Sequence, residues 1–290
     1  DVVEETALMA QGGELLARYP LIILPDIPHL APELVALLEE YVQQGGRLLL
    51  SGQSGSLSAA GDPLPTLALT CAGVSAIRRQ PHVPGAYFAL LASDRPFLPQ
   101  LADLDWIPAD TSWLECTPAA GTRTFLRQVP VGMYGPPEKC YYTEISDHPG
   151  ILLNQAGQGA CAVLPWQAAS QYDYFPTHAI AGLFHGLLEN ILRLPRRLEV
   201  EAPPVVELSA FYQPAQAAVV IGLATLSGPH GRAVPPPLPL ADLRFELSFP
   251  QAQGRVESLI QGELSCERLA QGRLRFTLPR LDLLDLLRVR

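Results

Sequence analysis

The stretch from Leu21 to Gly52 constrains the fold most, because two buried apolar runs flank one amphipathic run. "LIILPD" (21–26) is continuously apolar and ends in Pro-Asp, which is typical of a strand buried on both faces. "APELVALLEEYVQQGG" (31–46) spaces its apolar residues three and four apart between an early proline and two final glycines, which predicts a helix. "RLLLSG" (47–52) is the second buried run. This order predicts a right-handed crossover between two parallel strands.

The composition permits a large core and argues against two classes of partner. The chain has 290 residues, of which 48% are hydrophobic and 17% charged, enough for one large domain or two ordinary ones. A net charge of −9 disfavours nucleic acid and anionic membranes, since both require a basic face. We therefore expect neither as a partner.

The spacing of cysteines, histidines and apolar residues indicates the cellular compartment of the chain and whether we expect it to bind a cofactor. The five cysteines are scattered and show no C-x-x-C spacing, which favours a reduced, cytoplasmic chain without a zinc site. The six histidines show no metal-binding spacing. No apolar run approaches the length of a transmembrane helix. We expect no metal and no cofactor.

Two kinds of pattern divide the chain near residue 196. Before it we expect a strand at "DVV" (1–3), a short helix in 63–73, strands in 86–93 and 124–129, a hairpin over 150–166 and a helix over 177–194. After it, short alternating runs separated by turn residues predict an antiparallel β-sandwich. The predicted domains are 1–196, an α/β domain, and 197–290, a small all-β sandwich.

The turn after the second buried strand, "SGQSGS" (51–56), has the form of a nucleophile elbow. In class I glutamine amidotransferases a cysteine occupies the centre of such a turn, and here Gln53 stands there, whose amide cannot attack a carbonyl. Ser51 or Ser54 could replace it only with a base and an orienting acid, and nothing in the spacing ties His148 or His178 to them. The alternative is a glycine-rich turn whose hydroxyls cap backbone groups.

The segments 19–55 and 135–192 resemble the amidotransferase-like domain of bacterial glycoside hydrolases, whose best-known relative is the trimerisation domain of family 42 β-galactosidases. The resemblance depends on the elbow, on "GPPEK" (135–139), "DHPG" (147–150) and "GQG" (157–159), and on a strand ending in Pro165-Trp166. It covers about residues 1–195, and the β-rich remainder is similar in kind to the C-terminal sandwich of such enzymes.

The resemblance implies a flavodoxin-like, class I amidotransferase-like parallel sheet with helices on both faces. In that family catalysis belongs to an N-terminal (β/α)8 barrel, and the amidotransferase-like domain forms subunit contacts and sometimes closes over a neighbour's active site. It implies a homo-oligomer, a trimer or a dimer, with the barrel of the same parent protein as a further partner. The family domain normally opens with a strand and helix before "DVV", so we expect the domain to lack its first strand.

Carbohydrate could be a third partner, because loops in 133–142 and 171–178 concentrate aromatic side chains on which sugars stack. The residues we single out as sugar or interface contacts are Tyr134, Glu138, Lys139, Tyr141, Asp147, His148, Trp166, Tyr172 and Tyr174. Glycoside hydrolysis itself needs two facing carboxylates. Asp103, Asp105, Glu138, Glu144 and Asp147 are better explained as turn and ion-pair residues.

Three hypotheses follow from the sequence. The first is a non-catalytic, C-terminal region of a glycoside hydrolase that serves oligomerisation and scaffolding. The second is a carbohydrate-binding module that uses loop aromatics. The third is a hydrolase or amidotransferase that uses Ser54 at the 51–55 elbow, or a cysteine, as its nucleophile.

Overall fold

The computed structural model describes residues 1–80, 86–130, 136, 142, 144–228, 235–249 and 253–290. The chain forms two compact units, Asp1–Leu194 and Pro195–Arg290. No helix of the described part is long and apolar enough to cross a membrane.

The first unit contains ten strands and five α-helices among its described residues. Its strands are β1 (Leu21–Pro25), β2 (Arg47–Ser51), β3 (Val74–Gln80), β4 (Tyr87–Ala89), β5 (Trp106–Pro108), β6 (Trp113–Pro118), β7 (Arg123–Phe125), β8 (Arg127–Val129), β9 (Ile151–Ala156) and β10 (Gly159–Leu164). Its helices are α1 (Glu5–Gln11), α2 (Gly13–Leu16), α3 (Pro32–Gln43), α4 (Ala168–Tyr174) and α5 (His178–Gly186). Short 3-10 turns occupy Thr70–Ala72 and Pro99–Leu101, and a π-turn, Leu187–Ile191, follows α5 directly.

The central sheet has the order β1-β2-β10-β9-β7. β1, β2 and β10 run parallel, and β9 and β7 are antiparallel to their neighbours. The predicted parallel crossover β1–α3–β2 and the hairpin β9–β10 are therefore present. The sheet as a whole is mixed, so the finer prediction of a flavodoxin-like parallel sheet is not established. Two smaller antiparallel sheets, β3-β6 and β5-β4-β8, complete the unit.

Side chains alternate between the two faces of the central sheet and enter two separate cores. Leu48 and Leu50 of β2 pack in a cluster with Leu38 of α3, whereas Leu49 packs in a cluster with Leu183 of α5. This alternation is the period of two that a strand requires. It explains why β2 carries three consecutive leucines, since both of its faces are covered.

Helix α3 begins and ends where its sequence predicts. Pro32 occupies the first turn, where a missing N–H costs nothing, and the chain leaves the helix at Gln44. Leu34, Leu38 and Val42 are buried along one side at spacings of four. The hydroxyl of Tyr41 donates to the carbonyl of Tyr19 at 2.9 Å, which fastens α3 to the segment before β1.

Some local predictions were wrong. Residues 1–4 form no strand, and the first regular element is α1. The segment 63–73 contains only the 3-10 turn Thr70–Ala72. β3, β5 and β6 were not predicted, because they are short or partly exposed and lack a clean apolar alternation.

The second unit is all β, as two antiparallel sheets. Its strands are β11 (Leu198–Glu201), β12 (Val206–Gln213), β13 (Ala218–Thr225), β14 (Leu240–Ser248), β15 (Val256–Ser258), β16 (Gly262–Leu264), β17 (Cys266–Arg268), β18 (Arg273–Leu281) and β19 (Leu284–Val289), with 3-10 turns at Pro214–Gln216 and Ala270–Gly272. The sheets have the orders β11-β14-β18-β17 and β12-β13-β19-β15-β16. One cluster joins them, with Phe245 and Leu278 from the first sheet and Ile221 and Leu287 from the second.

Candidate functional site

The elbow lies where the parallel strands β1, β2 and β10 end side by side. Asp26 follows β1, Gly52 and Gln53 follow β2, and Gln167 follows β10. Asp26 Oδ1 accepts a hydrogen bond from the backbone N–H of Gln53 at 2.7 Å, and Asp26 Oδ2 accepts one from Gln167 Nε2 at 2.6 Å. The carboxylate of Asp26 thus ties together three strand ends, the edge at which ligands of open α/β sheets usually bind.

The turn requires glycine at position 52. Gly52 has φ +59°, a left-handed conformation that costs an ordinary residue free energy. A Cβ atom there would also overlap the carboxylate of Asp26, lying 2.8 Å from its Cγ. The N–H of Gly52 donates to the carbonyls of Leu164 (3.0 Å) and Trp166 (3.2 Å), which joins the elbow to β10.

The surroundings of Ser54 are those of a serine that caps backbone groups, and not those of a nucleophile. Its side chain is 2% exposed, and all its hydrogen-bond partners are backbone groups. Oγ accepts from the N–H of Ile27 at 2.9 Å and shares its proton between the carbonyls of Leu24 (2.7 Å) and Ser51 (2.8 Å). A nucleophilic hydroxyl instead needs a general base within hydrogen-bond reach. The geometry therefore fits the capping alternative for this serine.

Gln53 is held by its neighbours at the centre of the turn. Arg79 Nε donates to Gln53 Oε1 at 3.3 Å, and Arg79 Nη2 donates to the carbonyl of Ser56 at 2.6 Å. An amide has no nucleophilic lone pair comparable to a thiolate. At the centre of the folded elbow the chain presents a hydrogen-bonding amide in place of a thiolate.

The described cysteines do not replace the missing thiolate. Cys71, Cys116 and Cys161 are buried in the core that packs against α3. Burial raises the pKa of the Cys116 thiol to about 12, and the hydrogen bond that the Cys161 thiol makes to Cys71, followed by burial, raises the pKa of Cys161. Such thiols stay protonated at neutral pH and are poor nucleophiles.

A buried carboxylate that the sequence analysis missed lies on β6. The Glu115 side chain is 10% exposed and forms an ion pair with Arg78, while Gln80 Nε2 donates to its Oε1 at 2.7 Å. His148 Nε2 lies 3.7 Å from the same oxygen. Strand pairing places Arg78 directly opposite Glu115, and this pairing was invisible without the register of β3 and β6.

His148 and Asp147, both predicted contact residues, have different surroundings. The imidazole of His148 lies beside Glu115 and 6.0 Å from the ring of Trp113, edge to face. Asp147 is exposed in the turn before it. The structure thus brings His148, but not Asp147, into a defined cluster.

Trp166 is fully buried, which leaves it no surface for stacking on a sugar. Its Nε1 donates to the carbonyl of Gly150 at 3.1 Å, and its ring lies 5.2 Å from that of Phe88. Its burial gives it a packing role, because it follows β10 into a core cluster that also contains Phe88 and Trp113.

Tyr172 and Tyr174 are exposed, but they lie on α4 and not on a loop. Tyr174 is 79% exposed and meets Phe175 at 4.7 Å with an interplanar angle of 88°. Perpendicular rings present no flat platform. Tyr134, Glu138, Lys139 and Tyr141 lie outside the described residues.

A second aromatic group lies on the first unit's surface, and the sequence analysis found only its part in 133–142, missing Trp106. Trp106 and Tyr142 are both partly exposed, with ring centroids 5.9 Å apart and an interplanar angle of 35°. Tyr87 meets Tyr142 edge to face at 5.5 Å. β5 places Trp106 beside β4. The aromatic group therefore depends on two short strands, β4 and β5, and the sequence analysis predicted only β4.

No group of three potential metal-binding side chains gathers within the described ranges of the chain. No protein-family model matches the chain, and no curated protein matches it. Its fold is similar to parts of solved glycoside hydrolases.

α-L-Fucosidase isoenzyme 2 from Paenibacillus thiaminolyticus matches with a TM-score of 0.64 and 19% identity, over 94% of this chain and 41% of that one. A GH42 β-galactosidase from G. stearothermophilus, Gan42B, matches with a TM-score of 0.58 and 16% identity, over 95% and 32%. A β-galactosidase from Bacillus circulans sp. alkalophilus matches with a TM-score of 0.55 and 16% identity, over 94% and 33%. The chain thus spans about a third to two-fifths of the solved structures that it matches. At these identities the likeness shows the fold.

Proposed function

We propose that this chain is a non-catalytic region of a glycoside hydrolase, serving self-association and scaffolding beside the catalytic barrel of its parent protein. The observation that carries the proposal is the match of nearly the whole chain to a minor part of glycoside hydrolase chains. The elbow supports it, since Gln53 stands at the nucleophile position and Ser54 is held by backbone groups.

The outer face of the second unit's larger sheet supports self-association. Strand pairing places Phe211, Val220 and Arg288 in one cross-strand row, followed by rows through Gly222 and Leu286 and through Ala224 and Leu284. Directly paired residues share a face. The alternate residues Ile221 and Leu287 fill the core, so these rows point away from it.

This outer face carries large exposed apolar side chains beside the ion pair Arg288–Glu257 and the carboxylate of Glu207. Phe211 is 65% exposed and Leu284 61%, and the neighbouring turn adds Leu259 and Ile260, both exposed. A contiguous apolar patch of this kind marks an interaction surface on a soluble protein.

The occupant we propose is a second copy of the chain. β12 lies at the edge of this sheet, and Glu207 is its only charged residue. Edge strands that stay unpaired usually carry several charges, a proline or a bulge as protection. A long edge strand beside an apolar face favours pairing with an identical surface.

The test is the solution mass of the chain, by light scattering over a concentration series. We expect a dimer or trimer, with Phe211→Ser shifting the mass toward the monomer because it removes the most exposed ring of the face. Tyr174→Ser is the matched control, since it removes an exposed ring from the first unit, and it should leave the mass unchanged. A monomer at every concentration would contradict self-association.

A second candidate function, carbohydrate contact, is favoured by the Trp106–Tyr142 pair. Its rings are tilted by only 35° and are partly exposed, as sugar stacking requires. Trp113 and Trp166 are buried, so quenching of tryptophan fluorescence by added galactosides would report on Trp106. We expect Trp106→Ala to abolish such quenching. Unquenched emission at saturating sugar would exclude this role.

A further inference from the structure

A cavity of about 320 Å³ in the first unit is lined by three arginines and no carboxylate. It lies where β2 and β10 begin, at the opposite edge of the sheet from the elbow, and it reaches the π-turn after α5. Arg47, Arg123 and Arg193 line it, together with the amides of Gln155, Gln158 and Asn190. In a chain of net charge −9, this lining is a local exception.

The three guanidinium groups have no acidic partner among the residues that the structure describes. Arg47 Nε donates to the carbonyl of Leu192 at 2.8 Å, and its Nη1 donates to the carbonyl of Gly45 at 3.1 Å. The guanidinium carbon of Arg123 lies 4.6 Å from the ring centroid of Phe97 and 5.5 Å from that of Phe125. Carbonyls and rings orient these cations but do not neutralise them.

The register of the central sheet explains how Arg47 and Arg123 come to the same face. Arg47 pairs with Ala160, which pairs with Gln155, so these three share one face. In the next row, Leu153 pairs with both Ala162 and Arg123. The two alanines of β10 leave room between the longer side chains on either side.

The opposite wall carries three further signs of a binding site. Asn190 Nδ2 is buried without a hydrogen-bond partner, which is costly for an amide donor. Arg193 has φ +56°, a conformation that usually belongs to glycine at a helix C-terminus. The π-turn Leu187–Ile191, which contains Asn190 and is closed by the Leu192 N–H donating to Leu187 O at 2.8 Å, is a feature often found at functional sites.

We propose that this cavity binds a small phosphorylated molecule, with its phosphoryl group held by Arg47, Arg123 and Arg193 and by the amide of Asn190. A phosphoryl group offers several acceptor oxygens and up to two charges, which matches a lining of guanidinium groups and amides. A volume of about 320 Å³ leaves room for more than the phosphoryl group alone. The proposal goes beyond assembly and does not depend on it.

Calorimetric titration of the 290-residue chain tests the proposal, with glucose 6-phosphate, inorganic phosphate, glucuronate and glucose as probes. We expect glucose 6-phosphate to bind, glucose not to bind, and added salt to weaken binding. If inorganic phosphate binds as tightly as glucose 6-phosphate, the phosphate group alone is sufficient for binding to the cavity. Tighter binding of glucuronate than of either phosphate would overturn the phosphoryl assignment.

Two variants and a control locate the site. Arg193→Gly and Arg123→Gln should each weaken binding of glucose 6-phosphate by about tenfold or more, the effect of losing one charge-assisted hydrogen bond. Arg18→Gln makes the same change of charge on an exposed residue outside the cavity and should leave affinity unchanged. Arg47 is unsuitable, because its loss would also deprive the Leu192 carbonyl of its donor. The proposal would be refuted if the folded chain bound neither glucose 6-phosphate nor inorganic phosphate. It would also be refuted if the affinity for glucose 6-phosphate fell equally in all three variants.

Discussion

At the scale of single residues, the elbow has the backbone form of a nucleophile turn, but its polar side chains form structural hydrogen bonds. Asp26 binds one group from each neighbouring strand end, and Ser54 binds three backbone groups. Each of these polar atoms already has a partner. The turn therefore holds β1, β2 and β10 together at their carboxyl ends.

Gly52→Ala should destabilise the first unit strongly, because alanine adds both left-handed strain and overlap with Asp26. We expect the free energy of unfolding to fall by about 2–4 kcal/mol in urea denaturation. Gly121→Ala is the control: it has φ +87° but nothing within 4 Å of the added methyl, so it should lose only about 1–2 kcal/mol. Equal losses in the two variants would show that the contact with Asp26 is unimportant.

Cys116 should make stability fall at alkaline pH. Its folded pKa of about 12 lies above the ordinary value of 9.0, so its contribution is complete below pH 9 and is lost as the pH rises from 9 toward 12. Between pH 8 and pH 10 the loss is about 1 kcal/mol. Urea denaturation of the wild type and Cys116→Ala at both pH values measures it: the gap between the two proteins should narrow by that amount. A gap independent of pH would contradict the buried neutral thiol.

At the scale of elements, the sequence predicted those strands and helices whose buried side follows from the spacing of their apolar residues. The apolar runs of β1 and β2 and the spacing of α3 predicted the crossover, because their burial follows directly from chain periodicity. β3 is partly exposed and β6 pairs with it across a large sequence separation, so their positions depend on partners that single-sequence patterns do not reveal. For the same reason Glu115 was not recognised, whereas Gln53 was identified from its local turn alone.

The end of the α5 segment gives a prediction at this scale. Arg193→Gly should raise the free energy of unfolding by about 1 kcal/mol, because glycine adopts φ +56° without strain. Arg193→Lys keeps both the charge and the strain, and its midpoint of thermal unfolding should match that of the wild type. A destabilised glycine variant would mean that contacts of the Arg193 side chain outweigh the backbone strain.

At the scale of the whole molecule, each unit has its own core. Within the described part of the second unit, fifteen buried hydrophobic residues form one cluster, with contributions from both sheets. A set of this kind is what an independently folding domain of about 100 residues requires.

Residues 195–290 produced alone should therefore fold cooperatively. We expect a β-type circular dichroism spectrum and one sigmoidal transition in urea, with the same midpoint as the second-unit transition of the full chain. Phe245→Ala is the control, since loss of a fully buried ring should lower that midpoint in both contexts. A gradual, non-cooperative transition of the isolated segment would show that its core depends on the first unit.

The pairing of β2 with β10 also has a kinetic consequence. Arg47 and Ala160 are neighbours in the central sheet although most of the first unit separates them along the chain. Closing so long a loop is slow, and folding rates fall as contacts become less local. During synthesis β1, α3 and β2 emerge before β10 and must wait for it with one strand edge open, so chaperone dependence and aggregation of nascent chains should be concentrated in this interval.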